Sequence, residues 1–458
     1  MTTPSLLERL VPPEPLRGGN RSSSDSNARA RAWLETNGLP NARDEAWKYT
    51  PLGDILSATF DAASEPTPGS IDVATLDALA GDHRGTRLVF INGLFAPALS
   101  RDRQITPELV CHNTTPSSTD PVGVIDPPSP PVADRTRYDG FQALNQLASH
   151  DGAVILVEAD TRVTEPIHVV YLSVPGHTPV VSHPRTLLHA SANSEVTLIE
   201  TYAGIAGPAL TNAVTTIVVE PGAAVTHYKI QAEGAGAVHL AHTSIRQAAG
   251  SKVRSCSFAL GADIARNAVD VVLGGNGANV ELEGLYLPIA TQRHDSVITV
   301  EHAASKCMSR QRFKGVIDDH ARGSFSGRII VQPGTTATDA AQTNRSLLLK
   351  PTAEADTRPW LEIFADDVKC THGATVGRLD SEALFYLRTR GIAERDARTM
   401  LIGAFIDEMT EAISQPTLRS QLDAAIATKR SSGTPKNDAL GADAADNGPA
   451  ISPLGAST

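Results

Sequence analysis

Cysteine and aromatic residues are scarce in this chain of 458 residues. Its four cysteines lie far apart and form no C-x-x-C pair, which excludes a zinc ribbon and a thioredoxin-like redox motif. So few thiols in a long chain indicate a reducing compartment. Phe, Trp and Tyr together make up 4% of the residues, so the composition favours turns and small-residue packing over a large aromatic-lined ligand pocket.

The chain also has no net positive charge and no long apolar run. Its formal net charge is −11, which argues against nucleic acid or an anionic membrane as its main partner. The longest strongly apolar stretches, such as residues 167–174, are far too short to span a bilayer. No basic segment followed by an apolar one occurs at the start, so no secretory signal is expected. We therefore expect a cytoplasmic protein.

Common catalytic motifs are missing as well. The chain has no Walker A pattern, no G-x-S-x-G elbow and no H-E-x-x-H pair. Residues 273–277 are rich in glycine, but no helix with a phosphate-binding lysine follows them. We interpret this segment as a turn between strands.

Residues 151–377 have the composition of strands. Short β-branched runs bounded by Gly, Pro, Asn or Asp occur at 154–157, 167–174, 196–199, 217–219, 269–273 and 297–300. Small-residue turns precede four valines that are separated by 29, 28 and 27 residues: Val196, Val225, Val253 and Val280. A near-constant period without helices between the strands predicts a parallel β-solenoid, in which each coil stacks on its neighbour. A β-sandwich is the alternative, because turns every dozen residues also suit hairpins.

The segment before the solenoid, residues 1–150, is predicted to be helical and irregular. A helix is expected over 141–147 from its apolar spacing. The many prolines between residues 62 and 133 predict irregular structure with one or two short elements.

Helices return after the solenoid, in residues 378–430. Asp380 is a good N-cap for the first helix, and Gly391 stands where its C-cap belongs. Two more helices are predicted over 394–413 and 418–428 from their apolar stripes. Residues 431–458 contain no aromatic residue and few large apolar ones, so we expect a disordered tail.

The densest group of polar residues lies at 366–373. In an extended strand, Cys370 and His372 point to the same side because they are two residues apart. A thiolate beside an imidazole suits a soft metal such as iron, or a transferred sulfur. The alternative is a buried thiol and a hydrogen-bonded histidine. Two ligands do not close a metal site, so a partner chain would have to supply the others.

The same region closely resembles the signature of the SufD branch of the SufB/SufD family. The resemblance is carried by residues 361–377, 384–392 and 314–349, and near the N-terminus by Glu-Ala-Trp-Lys-Tyr-Thr at 45–50. SufB sequences read Glu-His-Glu-Ala where this chain has Thr-His-Gly-Ala at 371–374, and they contain more cysteines. The glycine and the sparse thiols favour SufD over a SufB-like scaffold paralogue.

The resemblance implies a mainly β protein, a right-handed parallel β-helix flanked by N-terminal and C-terminal helical regions. It implies a non-catalytic scaffold subunit of the SufBCD complex, which supports iron–sulfur cluster assembly and iron acquisition at the SufB–SufD interface. The implied partners are a SufB-like paralogue and a SufC-like ABC ATPase, with a homodimer possible when the chain is isolated. No tightly bound cofactor is implied for the chain alone, only a transient cluster or iron in the complex and ATP through SufC.

Residue roles are carried over from the family in the same way. His372 is expected at the cluster-assembly interface as a transient metal ligand completed by the partner chain, and Cys370 is expected beside it. The first two helices after Asp380 are expected to dock SufC, with Phe385, Tyr386 and Arg390 contributing packing or contacts. Packing in a helical core is the expected role of Phe385.

Two other classes of protein remain open from the sequence. A β-helix carbohydrate-active enzyme would be active as an isolated chain and would have an acidic groove. A passive homo-oligomeric solenoid would not depend on an ATPase. The family interpretation differs from both, since it expects a chain that is inert alone.

Overall fold

Two long parallel sheets dominate the structure, a computed structural model that describes residues 24–41, 43–53, 61–62, 71–101, 109–112, 138–176, 178–411 and 413–432. From residue 185 onward the chain alternates between the sheets from one strand to the next, and each strand pairs with the strand two positions further along the sequence. This arrangement is a parallel β-solenoid of about eight turns. The predicted solenoid with helices on both sides is confirmed, and the β-sandwich alternative is wrong.

The strands of the described residues are distributed between the two sheets as follows. The eleven-strand sheet contains β1 (Asp61–Ala62), β4 (Leu109–His112), β5 (Gly152–Val157), β7 (Val180–Ser182), β8 (Arg185–Ala190), β10 (Ala209–Val219), β12 (Ala237–Gln247), β14 (Ile264–Leu273), β16 (Arg293–His302), β18 (Arg322–Val331) and β20 (Glu354–Ile363). The ten-strand sheet contains β2 (Arg87–Ile91), β3 (Leu94–Phe95), β6 (Ile167–Ser173), β9 (Glu195–Gly204), β11 (Ala224–Ala232), β13 (Lys252–Ala259), β15 (Asn279–Tyr286), β17 (Met308–Ile317), β19 (Thr338–Leu348) and β21 (Val368–Gly377).

Helices lie at both ends of the chain. In the described residues the α-helices are α1 (Ser24–Asn37), α2 (Val73–Ala80), α3 (Gly140–Ala148), α4 (Ser381–Thr389), α5 (Glu394–Thr410) and α6 (Pro416–Ser432), and a short 3-10 helix spans Glu45–Trp47. None of them is long and apolar enough to cross a membrane. The expected tail at 431–458 lies almost entirely outside the described residues.

The valine repeat of the sequence is the repeat of the coil. Val225 pairs in register with Val196 on one side and with Val253 on the other, and Val253 pairs with Val280. All four side chains are buried in one apolar cluster inside the coil. The repeat therefore predicts the strand register as well as the fold class.

The corner before each of these valines explains why the period is so constant. Asn193, Gly222, Gly250 and Gly277 all have a positive φ, a conformation that glycine and asparagine adopt most easily. Each backbone N–H donates a hydrogen bond of 3.0 Å to a carbonyl at the equivalent corner of the next coil. The corners thus stack like the strands, so an inserted residue would break a column of hydrogen bonds.

The outer faces of both sheets are covered by helical segments. Phe141 and Leu144 of α3 pack with Trp47 against the eleven-strand sheet at Leu210 and Leu240. On the ten-strand sheet, α2 covers the strands nearest the N-terminus, while α5 and α6 cover the middle. The solenoid therefore has apolar residues on its inner face and, where helices cover it, on its outer face.

The N-terminal region is more ordered than the sequence indicates. The expected helix over 141–147 is confirmed as α3. Between residues 71 and 112, however, one helix and three short strands are described, and β2 and β4 join the two solenoid sheets. The structure therefore has more elements here than the one or two that were expected. Pairing with the longer strand β6 stabilises even a strand as short as β2.

Candidate functional site at the open end of the solenoid

The last two strands form an open end. Within the described residues, β20 pairs with β18 alone and β21 with β19 alone. Each of these edge strands is ten residues long and leaves backbone N–H and C=O groups unpaired along one side. Long strand edges readily pair with another chain. This end of the molecule is therefore the strongest candidate for a protein–protein interface.

Cys370 and His372 lie on β21 and point to the same side. Their register partners on β19 are Ala340 and Gln342, which are both buried inside the coil. Since side chains alternate along a strand, Cys370 and His372 also occupy the inner face of their coil. The same-side placement predicted from their spacing is confirmed. At the open end this inner face is accessible from outside.

The two side chains differ in exposure. His372 is exposed, whereas Cys370 is half buried and packs against a small apolar cluster that includes Ile329 and Ala340. Burial, with a smaller contribution from the carboxylate of Asp339, raises the pKa of the Cys370 thiol. The thiol is therefore protonated at neutral pH. Metal or sulfur binding at Cys370 would have to release a proton.

The two side chains do not make a complete metal site. In the described part of the chain, no group of three or more His, Cys, Asp or Glu side chains is placed to hold a metal ion. Cys370 and His372 offer one sulfur and one nitrogen ligand, which fits a soft metal. Further ligands would have to come from a second molecule at the open end.

Exposed apolar side chains surround the open end. Ile363 ends β20, Phe364 follows it, and Val376 lies near the end of β21. Their exposed fractions are 39%, 59% and 46%. Large apolar side chains exposed at strand edges are typical of an interaction surface.

A pair of amide side chains lies below His372 in the coil interior. Gln342 of β19 and Gln311 of β17 are each 1% exposed, and Gln342 Nε2 donates a 2.8 Å hydrogen bond to Gln311 Oε1. Sequence reasoning did not assign either residue a place at the site. The available signal was the match of residues 342–345 to a family block, because the 31-residue separation hides the contact from local patterns.

The second candidate surface is α4 and its junction with α5. The expected N-cap is confirmed, since the Asp380 side chain accepts a hydrogen bond from the backbone of Glu382. Gly391 follows the helix with φ of +85°, as predicted for a C-terminal cap. The predicted helices after residue 393 are confirmed as α5 and α6.

The aromatic residues of α4 face solvent. Phe385 is 69% exposed and Tyr386 is 56% exposed, and the guanidinium of Arg390 lies 5.0 Å from the Tyr386 ring centroid. The expectation that Phe385 packs in a helical core is wrong, because its side chain is exposed and α4 has no buried residue. Met400 of α5, which is 51% exposed, adds to the exposed apolar surface of this helical region.

The helices α5 and α6 fix this surface to the solenoid. Their buried side chains pack onto the outer face of the ten-strand sheet in one cluster: Ile406, Met409, Ile413, Leu418, Leu422 and Ile426 from the helical region, with Tyr228, Phe258, Leu285 and Val316 among the strand residues. The exposed surface on α4 therefore stands on a rigid base.

Family models cover both halves of this architecture. The model for the SufBD protein N-terminal region matches residues 24–169, and the SufBD core domain model of SUF system FeS cluster assembly matches residues 173–405. The core match includes the solenoid strands from β7 onward, the open end and most of α5. The chain belongs to the SufBD family.

Individual relatives agree with this assignment. The chain is 33% identical to the iron–sulfur cluster assembly protein SufD of Escherichia coli over 91% of this chain and 95% of the relative. It is 32% identical to an iron–sulfur cluster assembly SufBD family protein of Synechocystis, over 84% of this chain and 86% of the relative. Bacillus subtilis SufD is 26% identical over 63% of this chain and 66% of the relative. The resemblance to SufD is therefore confirmed, and it supports a role in iron–sulfur cluster assembly.

Proposed function

We propose that the chain is a non-catalytic scaffold subunit of a SufBCD-type complex for iron–sulfur cluster assembly. In this proposal the open end pairs with a SufB-like paralogue, and the nascent cluster or its iron is held transiently between the two chains. His372 supplies a metal ligand, and Cys370 lies beside it as a second donor. The SufC-like ATPase docks at α4 and drives the cycle by hydrolysing ATP.

The observation that carries this proposal is the position of His372 at the middle of an unpaired edge strand. Pairing with a second strand along β21 would bring side chains of the partner next to Cys370 and His372. A two-ligand half-site on an interface is the arrangement needed to hold a cluster that must later leave, because separating the chains removes half of the ligands. A thiol and an imidazole with a purely structural role would have no such reason to lie together on an edge strand.

The ATPase part of the proposal is supported by α4. Aromatic side chains beside arginine are the residue types that contribute most to binding at protein interfaces. Phe385, Tyr386 and Arg390 provide these types on a helix that the solenoid does not cover.

The proposal is tested by isolating the complex from cells that produce all of its subunits. The tagged full-length chain is co-expressed with a SufB-like paralogue and a SufC-like ATPase, and the isolated complex is assayed for subunits, iron and acid-labile sulfide. His372→Ala is expected to leave assembly intact and to lower iron and sulfide about tenfold or more, the scale seen when groups at a metal site are removed.

The matched control is His320→Ala, which changes an exposed histidine in a turn after β17. Equal iron and sulfide in the His372→Ala and control complexes would contradict the role of His372. Absence of both partners from the purified complex would contradict the subunit role itself.

A further inference from the structure

Gln342 lies directly below His372 in the coil. The two residues are register partners on β19 and β21, and both occupy the inner face. Gln342 is 1% exposed, while His372 is exposed at the open end. Residues that are in register from one coil to the next form a row along the solenoid. In the row that ends at His372, the next residue is Gln342, and its amide is buried.

One end of the Gln342 amide is satisfied and the other is not. Its Nε2 donates to Gln311 Oε1 at 2.8 Å, but its Oε1 has no hydrogen-bond partner among the described residues. A buried carbonyl oxygen without a partner is costly and rare in folded proteins. The N–H bond to Gln311 also polarises the amide, which makes Oε1 a stronger acceptor.

The opposite sheet is shaped around this amide. Gly327 of β18 faces it across the coil interior, and a Cβ atom built at Gly327 would lie 2.0 Å from Gln342 Nε2. Any larger residue at position 327 would displace the amide. The glycine therefore allows Gln342 to keep its position on the row that ends at His372.

The imidazole of His372 also makes no hydrogen bond to the described residues. A neutral imidazole donates from one ring nitrogen and accepts at the other, and the partner of the N–H decides which nitrogen keeps its lone pair. His372 and Gln342 are in-register neighbours on adjacent strands, which lie about 4.8 Å apart, so their side chains stack next to each other. The acceptor available there is Gln342 Oε1.

We propose that Gln342 is a positioning residue for His372. Its Oε1 accepts the hydrogen bond of one ring N–H, so the other ring nitrogen faces the open end with its lone pair free for a metal. This is the orienting role that acceptors behind metal-binding histidines play. The inference rests on the proposed function only for the identity of the ligand, because the hydrogen bond itself is a property of the isolated chain.

The hydrogen bond is tested by nitrogen NMR on the full-length chain with ¹⁵N-labelled histidine, above the usual imidazole pKa of about 6.5. The signals of His372 are assigned by their loss in His372→Ala. In the wild type, the two ring nitrogens of His372 are expected to differ strongly in chemical shift, one of the protonated type and one of the unprotonated type. In Gln342→Met, which keeps the side-chain length and removes the acceptor, the difference should fall to that of exposed His320.

Two further variants complete the test. Gly327→Ala displaces the amide without changing its chemistry and should reduce the shift difference between the two ring nitrogens of His372 in the same way. This variant provides the test if Gln342→Met does not fold. Thr375→Ala changes an exposed residue on the opposite face of β21 from His372 and should leave the His372 signals unchanged.

The proposal is overturned if Gln342→Met and Gly327→Ala leave the shift difference of His372 as it is in the wild type. It is equally overturned if the wild-type difference is no larger than that of His320. Neither result depends on cluster formation. The iron and sulfide content of the His372→Ala complex tests the proposed function separately, so the two failures are distinguishable.

Discussion

The ammonium group of Lys314 lies 2.9 Å from the backbone carbonyl oxygen of Phe405, which joins β17 of the solenoid to α5. The same ammonium group forms an ion pair with Glu408 and lies 4.5 Å from the centroid of the Phe405 ring. Lys314 is 4% exposed, whereas the side chain of Glu408 is 57% exposed. One buried cation thus holds the helix that supports the exposed surface on α4.

Replacing Lys314 by Met should loosen α5 without unfolding the solenoid. The change removes a charged hydrogen bond to a carbonyl, and we expect a loss of about 1–3 kcal/mol in the free energy of unfolding. Amide hydrogen exchange should rise in α5 and remain unchanged in the central strands. Lys252→Met is the control, since Lys252 is exposed at the start of β13. Equal exchange in α5 of both variants would contradict the anchoring role.

The exposed aromatic residues of α4 should matter for binding and hardly for stability. Phe385→Ala combined with Tyr386→Ala removes two exposed side chains, so we expect the free energy of unfolding to change by less than about 1 kcal/mol. Binding of a SufC-like ATPase, measured by calorimetry with the full-length chain, should weaken by at least about tenfold. Val73→Ala, which alters an exposed apolar residue on α2, should leave binding unchanged. Undiminished binding by the double variant would exclude α4 from the docking surface.

Deleting the whole helical region would be a poorer test of docking. The side chains of α5 and α6, among them Leu418 and Leu422, cover apolar residues such as Phe258 and Leu285 on the solenoid. Their removal would expose a large apolar face and favour aggregation. Loss of binding after such a deletion would not report on contacts with the ATPase.

The features that the sequence predicts correctly are local or periodic. The spacing of Val196, Val225 and Val253 equals the length of a coil, and the two-residue spacing of Cys370 and His372 fixes their common face. Both follow from the geometry of a strand alone. They required no knowledge of which other segment lies nearby.

The features that the sequence does not predict depend on distant contacts. The carbonyl oxygen that Lys314 binds is 91 residues away, and Gln342 pairs with an amide 31 residues away. Phe385 was expected to pack because it is apolar and lies in a helical pattern. The pattern does not show whether another element covers that face, and in the structure the solenoid leaves it exposed.

Gly315 lies in a stretch of sequence that resembles the family, and the structure gives a steric reason for a glycine at this position. A Cβ atom at this position would lie 2.1 Å from the ring of Tyr286, which is buried and hydrogen-bonded through its hydroxyl to Asn344 and Ser346. The ring cannot move aside without breaking these bonds, so Gly315→Ala should destabilise the protein by about 1–3 kcal/mol. Chemical denaturation measures the loss. Gly377→Ala is the matched control because the space around Gly377 is open, and equal stability of the two variants would refute the steric explanation.

The stability of the protein should fall in acid, partly because of His302. This side chain is fully buried, and its Nε2 lies 2.9 Å from Ser309 Oγ. Burial lowers the pKa of His302 from 6.5 to about 4, opposed by the nearby carboxylate of Asp339. Between those two pH values the unfolded chain carries a proton on this imidazole and the folded chain does not. Stability is therefore retained above pH 6.5 and lost progressively as the pH falls toward 4, by about 3 kcal/mol in total.

His302→Gln isolates this contribution, because glutamine can keep a hydrogen bond to Ser309 but does not titrate. Denaturation curves recorded at several pH values between 6.5 and 4 should show a shallower loss of stability in His302→Gln than in the wild type. The buried His168 and His239, whose pKa values are also lowered by burial, still contribute to the slope in both proteins. His320→Gln, in an exposed turn, should follow the wild type. Parallel curves for the wild type and His302→Gln would show that His302 is already protonated in the folded state, and that its burial does not drive the acid sensitivity.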